Sequence, residues 1–479
     1  MKKALIWKLL ERFGVQGAQF LVQIVLARLL APELYGVLGI MIIFITLANV
    51  FIQTGFNTAL IQNKDVTEKD YSSVLWVTMG VAGVLYGLIF IGAPFIGEFY
   101  ETPELVTPLR VLALILFPGA LNSVQLAKVS REMDFKKVFY SNIGAIIFSG
   151  AAGIIIAYLG GGLWALVAQT MLNIIIATIV LQFTSKLKIR FVVDFGRIMV
   201  MFSFGWKLLL SGLIDTIYQD VQGLGIGKKY SNATLGFYNR GRQFPQFLIN
   251  SINGAIQSVM LPAMSEKQDS KASVKEMMRN SISISAFIVF PMMAGLAGVA
   301  EPLVKVLLTD AWLPCVPYMQ INCFIFAFFP MSSCNLQAIN AMGRSDIFLK
   351  LEIIKKIYGA IALVIAIVFF ESPLAIVVTG LITTVVSVFV NAYPNKKLVD
   401  YSYFEQMRDM LPSMLLSILM FVIVLLVGEL SLHPFILLIV QVFVGVVVYF
   451  LFAAIFKVKP FIAIKDIGIG MLKKLLNKA

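Results

Sequence analysis

The chain has 479 residues, 59% of them hydrophobic and 14% charged, with a mean hydropathy of +0.88 and a formal net charge of +13. Soluble domains run nearer 45–50% apolar and about 25% charged, so a globular enzyme surrounded by water is excluded. The apolar residues come in blocks of roughly 20, the length that crosses a hydrocarbon core of about 30 Å, and Lys and Arg collect between the blocks, which directs them to a membrane surface rather than to nucleic acid.

In chain order, Met1-Lys2-Lys3 opens as a charged leader would. Glu11 and Arg12 then interrupt the apolar stretch and no small-x-small cleavage site follows, so the segment reads as a first span. Spans are predicted over 7–30, 36–60, 73–96, 106–127, 140–159, 162–184, 201–226, 235–262, 280–300, 316–341, 350–370, 374–395, 410–428 and 434–456. The blocks are continuous rather than alternating, which excludes a β-barrel. The expected fold is an all-α integral membrane protein with about fourteen transmembrane helices. The longest connection, near Ser265–Arg279, is too short for a soluble domain. Cys315, Cys323 and Cys334 lack metal-ligand spacing, and His433 sits in a short loop before Pro434. No metal or other cofactor is expected.

Alternate gaps are basic. They hold Lys64 and Lys69; Lys128, Arg131, Lys136 and Lys137; Lys186, Lys188, Arg190 and Arg197; Lys267, Lys271, Lys275 and Arg279; and Lys396, Lys397 and Arg408. The intervening gaps are nearly bare, and Gly97–Leu105 carries Glu98, Glu101 and Glu104 instead. The positive-inside rule then places both termini of this multi-pass protein in the cytoplasm. One outer gap breaks the pattern: Gly227–Arg242 carries Lys228, Lys229, Arg240 and Arg242.

The sequence repeats. Trp7-Lys8-Leu9-Leu10 returns as Trp206-Lys207-Leu208-Leu209, and the same register aligns Gln16 with Asp215 and Gln23 with Gln222. Each copy leads to a short turn, Leu34-Tyr35-Gly36 in the first and Leu235-Gly236-Phe237-Tyr238 in the second. Further on, Gln125…Arg131…Asp134-Phe135 is echoed by Gln337…Arg344…Asp346…Phe348. These echoes predict two pseudo-symmetric six-helix lobes, 1–200 and 201–400, running in the same direction. Residues 401–479 would add two further helices and a basic tail.

Four spans carry polar stripes at helical spacing. Span 1 has Arg12, Gln16, Gln19 and Gln23. Span 2 has Thr46, Asn49, Gln53 and Asn57. Span 7 has Ser211, Asp215, Gln219 and Gln222. Span 8 has Arg242, Gln246, Asn250, Asn253 and Gln257. Polar groups at membrane depth face a bundle interior or a water-filled cavity. Two readings follow: interhelical hydrogen bonds that hold the bundle together, or a shared hydrophilic cavity. Amides both donate and accept, which suits sugar hydroxyls. Arg12 and Arg242, near opposite mouths, can grip a phosphate with paired hydrogen bonds, although Arg12 beside Glu11 also suits an ion pair or a headgroup anchor. Asp215 and Asp220 are candidate sites for coupling to a proton or sodium gradient, or partners in ion pairs.

Several segments carry a resemblance to a known family. They are Leu26-Ala27-Arg28-Leu29-Leu30-Ala31-Pro32-Glu33-Leu34-Tyr35-Gly36, Ala59-Leu60-Ile61-Gln62-Asn63-Lys64, Arg131-Glu132-Met133-Asp134-Phe135-Lys136-Lys137, Gly160-Gly161-Gly162-Leu163-Trp164 and Leu235-Gly236-Phe237-Tyr238-Asn239-Arg240. The chain resembles polysaccharide flippases of the MOP superfamily, Wzx-like proteins of the lipopolysaccharide and teichuronic acid exporter branch. The resemblance implies two six-helix lobes plus two helices. It also implies flipping of a polyprenyl-diphosphate-linked oligosaccharide by alternating access, with membrane lipids, a polysaccharide polymerase and glycosyltransferases as partners. Family members often read Asp-x-x-x-Ile-Gly-Lys where this chain places Ile226-Gly227-Lys228 six residues after Asp220. Alternatives are a cation-coupled multidrug antiporter or a lipid II flippase of the same superfamily and, from another class, an integral-membrane glycan ligase or polymerase. An enzyme of that kind needs an acid/base or nucleophile constellation, and the short outer gaps are poor in candidates.

Overall fold

The computed structural model describes residue 7 and residues 14–62, 65–462 and 465. Every regular element among the described residues is helical. The first lie at Gln16–Leu29 (α1), Pro32–Gln62 (α2), Glu68–Phe99 (α3), Val106–Leu112 (α4), Leu116–Glu132 (α5), Phe135–Tyr158 (α6), Leu163–Ser185 (α7), Phe195–Lys229 (α8) and Asn232–Glu266 (α9). Then come Lys271–Gly298 (α10), Ala300–Leu307 (α11), Val316–Ala327 (α12), Phe329–Ala341 (α13), Ser345–Phe369 (α14), Pro373–Ala392 (α15), Asn395–Leu398 (α16), Tyr403–Gly428 (α17) and Pro434–Ile455 (α18).

Ten helices among the described residues are long and apolar enough to cross a membrane, or eleven if Phe195–Ser203 and Leu208–Lys229, bent by 56°, make one span. Three further predicted spans also fall on helices, but length and apolarity do not carry them. The described part of α1 has only 14 residues. The helix α9 is amide-rich throughout, and α14 carries Glu352, Lys355 and Lys356 in its third and fourth turns.

The chain divides into two compact units, Met1–Asn239 and Arg240–Ala479. In the first, α8 packs along α2, and α6 pairs with α7. A core of Phe56, Leu60, Val74, Leu75, Val124 and Met201 closes one end. Beside it, Thr67 caps α3 through a reciprocal bond with Asp70, whose carboxylate also meets Arg197 of α8 at 3.6 Å. The segment between α7 and α8 lies extended along α3. Ser72 and Ser73 accept from the backbone N–H groups of Arg190 and Asp194 at 3.0 Å each, and the Trp76 indole donates to the Arg190 carbonyl at 2.9 Å.

In the second unit α17 packs along α10, and α18 packs on α17. Apolar contacts in lipid gain little from the hydrophobic effect, so buried polar contacts fix helix pairs. Here Gln406 of α17, Asn335 of α13 and Asn395 of α16, all fully buried, form one amide cluster. Its bonds are Asn335 to Gln406 at 2.7 Å, Gln406 to the Asn335 side-chain oxygen at 3.0 Å and Asn395 to that oxygen at 2.7 Å. Next to it Arg279 and Lys275 of α10 pair with Asp409 at 2.7 Å and Glu405 at 3.0 Å. The Tyr401 hydroxyl donates to Asp409 at 2.6 Å, and burial first, then that carboxylate, pushes the phenol pKa up.

Candidate functional site

The helices that carry the polar stripes do not bury them. In the first unit Gln16 on α1, Gln53 on α2, and Ser211, Asp215 and Gln219 on α8 are exposed. Gln19, Gln23, Asn49, Asn57, Asp220 and Gln222 are half-buried. In the second unit Asn250 on α9 is exposed, Arg242 and Gln246 are half-buried, and Asn253 is buried. Arg12 lies outside the described residues, as does the side chain of Gln257.

Exposure of this kind on membrane-length helices has a physical consequence. Lipid cannot hydrate an amide or a carboxylate, so an exposed polar stripe at membrane depth faces water or headgroups. Ser211, Asp215 and Gln219 follow one another at helical spacing along one exposed face of α8. Some members have specific contacts. Gln222 accepts from the Tyr238 hydroxyl at 3.1 Å. The side-chain oxygens of Asn57 and Asn253 are buried without a hydrogen-bond partner, which leaves each an acceptor facing inward from its helix.

The four cations of Gly227–Arg242, the gap that breaks the charge pattern, separate into distinct roles. Arg240 is 3% exposed; its guanidinium donates to Gln243 at 2.7 Å and lies 5.1 Å from the Trp312 ring. It is a packed residue of the second unit. Arg242 is half-buried two positions on and therefore points elsewhere on the helix. Lys228 donates to the Phe99 carbonyl at 2.6 Å and to Glu101 at 3.2 Å. Lys229 lies over the Tyr230 ring at 5.7 Å.

Two further features escape a reading by polar stripes. Within α14, Lys355 pairs with Glu352 at 2.5 Å, with side chains 13% and 25% exposed. Lys355 is ten residues into a helix of 25, roughly 15 Å along it at 1.5 Å per residue, close to the middle of the helix. A scan for charges inside apolar blocks finds this pair directly. The other is an apolar cavity of about 620 Å³ in the second unit, lined by Phe287, Met292, Val424, Leu438, Val446 and Tyr449 among others, on α10, α17 and α18. Arg344 pairs with Asp346 at 2.8 Å, and that hydrogen bond holds the Asp346 carboxyl down to about 2. Among the described residues no group of three His, Cys, Asp or Glu side chains is arranged to hold a metal.

Residues 25–317, more than half of the chain, match the family model described as "Polysaccharide biosynthesis protein". The chain is 24% identical over 302 residues to the teichuronic acid biosynthesis protein TuaB of Bacillus subtilis, covering 63% of this chain and 62% of that protein. It is 21% identical over 365 residues to the lipopolysaccharide biosynthesis protein WzxC of Escherichia coli, covering 75% of this chain and 73% of that one. The alignment thus spans less than two thirds of TuaB. Among solved structures it is similar to the lipid II flippase MurJ in an inward closed conformation, with a TM-score of 0.72 at 14% identity over 95% of this chain and 99% of that one. At that identity the likeness shows the fold.

Proposed function

Since the chain belongs to the polysaccharide biosynthesis protein family, we propose that it flips a polyprenyl-diphosphate-linked oligosaccharide from the cytoplasmic to the outer leaflet for cell-surface polysaccharide synthesis. The observation that carries this reading is the pairing of two environments. Exposed amide-rich stripes on α1, α2, α8 and α9 offer donors and acceptors to a glycan. The apolar cavity against α17 and α18 offers a place for a hydrocarbon tail. A cargo with a sugar head and a long lipid tail uses both; a small cationic drug uses neither set of amides fully.

On this reading Arg12, Gln16, Gln19, Gln23, Asn49, Gln53, Asn57, Gln219, Gln222, Arg242, Gln246, Asn250, Asn253 and Gln257 line one hydrophilic path. The arginines grip the diphosphate by charge-assisted bonds worth about 1.5–3 kcal/mol each. Successive modest grips allow release, which a single deep trap would prevent. Asp215, exposed on the stripe, and Asp220 beside it couple the cycle to a proton or sodium gradient. The lobes are 1–200 and 201–400 with a 401–479 appendage. The chain sits in a bacterial inner membrane with both termini in the cytoplasm, and works alongside glycosyltransferases and a polymerase.

The test is complementation. In a strain lacking its own flippase this chain should restore surface glycan, and the lipid-linked precursor that accumulates at the inner leaflet should fall. Unchanged precursor with normal amounts of the protein would reject the reading.

A further inference from the structure

The outer-gap cation that contradicts the charge rule has an assigned contact, and that contact joins the two repeats. Lys228, at the end of α8, reaches across to the end of α3, where it donates to the Phe99 carbonyl at 2.6 Å and to Glu101 at 3.2 Å, with its ammonium 4.8 Å from the Phe99 ring. Four residues on, the Asn232 amide donates to the Thr102 hydroxyl at 2.9 Å. Beside these, the first turns of α2 and α9 cross backbone to backbone. A Cβ added to Gly36 would fall on the Asn232 carbonyl, and one added to Gly236 would fall on the Pro32 carbonyl and lie 3.3 Å from the Gly36 nitrogen. The exchange is reciprocal, and these two glycines occupy the matching turns of the repeated sequence.

We propose that Lys228, Glu101, Asn232 and Thr102, together with the Gly36–Gly236 crossing, form the latch that closes the transport path on its outer side and parts once in each cycle. This rests on the flippase reading and orientation proposed above. All three contacts join helices of the first repeat, α2 and α3, to helices of the second, α8 and α9. Alternating access by rocking of one repeat against the other must break every such contact at the outer end.

The chemistry of the contacts suits reversible opening. The side chains of Lys228 and Glu101 are 41% and 83% exposed, so both hydrate as they separate; exposed ion pairs are weak. Thr102 is only 3% exposed, but its hydroxyl also donates to the Tyr100 carbonyl at 3.0 Å, so it keeps a partner when Asn232 leaves. The glycine crossing loses no conventional hydrogen bond when it parts.

The experiment uses the full chain carrying Thr102→Cys and Asn232→Cys. The native thiols Cys315, Cys323 and Cys334 are buried and do not compete. Oxidation should join positions 102 and 232. A third cysteine at Gln222, whose side chain meets Tyr238 inward of the crossing, reports opening: a membrane-impermeant maleimide added outside should label it in the reduced protein and leave it unlabelled once the bridge has formed. In a separate background, Gly36→Ala should raise labelling at position 222, because the added methyl drives the helices apart. Failure of the bridge to form, or equal labelling with and without it, overturns the latch. Without the reporter, bridged protein should stop flipping lipid-linked oligosaccharide and resume on reduction. If labelling is gated while the reduced protein flips no such lipid, the latch stands and the cargo reading falls.

Discussion

Residues two positions apart on α9 have opposite fates, and the difference is testable. Arg240→Ala removes a buried guanidinium from between Gln243 and Trp312. It should destabilise the protein by about 2–4 kcal/mol, through the cavity and the lost charge-assisted bond, and appear as a lower unfolding temperature in detergent. Arg242→Ala should leave that temperature unchanged and lower flipping; equal thermal loss in both would contradict the assignment. On α14, Lys355→Leu leaves the largely buried Glu352 charged and alone and should cost about 3–5 kcal/mol, most of it recovered in Lys355→Leu/Glu352→Leu. A double variant no better than the single would show that the pair does not act as a unit. Much at this scale was legible in the sequence. The amides at i, i+4 and i+7 are read directly from spacing, but not their burial: Gln16, Gln53 and Gln219 are exposed while Gln19, Asn49 and Gln222 are half-buried and Asn253 is buried. The fate of each cation was not legible. Lys228, Arg240 and Arg242 look alike along the chain, and only the position of Trp312, some seventy residues away, decides which one is buried.

The helices were legible because apolar blocks of bilayer length admit little else, and the gaps fell where Gly, Pro and charge interrupt them. The exceptions are instructive. The helix α9 carries so many amides that apolarity alone would not mark it as a span, and only its place in the repeat does. Pairings between elements were illegible, since a uniformly apolar surface in lipid specifies no partner. They depend on buried polar groups such as the cluster of Asn335, Asn395 and Gln406. Gln406→Leu should therefore loosen α17 from α13 and α16 and cost about 1–3 kcal/mol, because it strands the Asn335 amide. Faster hydrogen exchange confined to these helices would confirm it, whereas uniform exchange across both units would not. Cysteines in place of Gln53 and Asn250 should react with a polar thiol reagent, while one at Leu21, exposed on α1 among apolar neighbours, should not. Equal protection of all three would favour interhelical bonding over a wet path.

At the scale of the whole molecule, the charge asymmetry predicts that a membrane-impermeant label applied outside intact cells reaches a cysteine at Glu101 and misses one at Lys271; the reverse pattern would invert the orientation. Gly36 and Gly236 cross reciprocally, and contact groups α8 with α2 in the first unit. The expected lobe boundary near residue 200 and the packing boundary after Asn239 fall at different places, because α8 packs along α2. Cargo is the property least visible in residues, since amides that suit one glycan suit many. The central claim is tested most directly with purified protein in liposomes carrying a fluorescent polyprenyl-diphosphate-linked oligosaccharide in both leaflets and a membrane-impermeant quencher added outside. The account predicts that the protein lets the quencher reach nearly all of the lipid, and that the protein with Arg242→Ala leaves about half protected, as do empty liposomes. Half protection with the unaltered, folded protein, under an imposed proton or sodium gradient as well as without one, would contradict it.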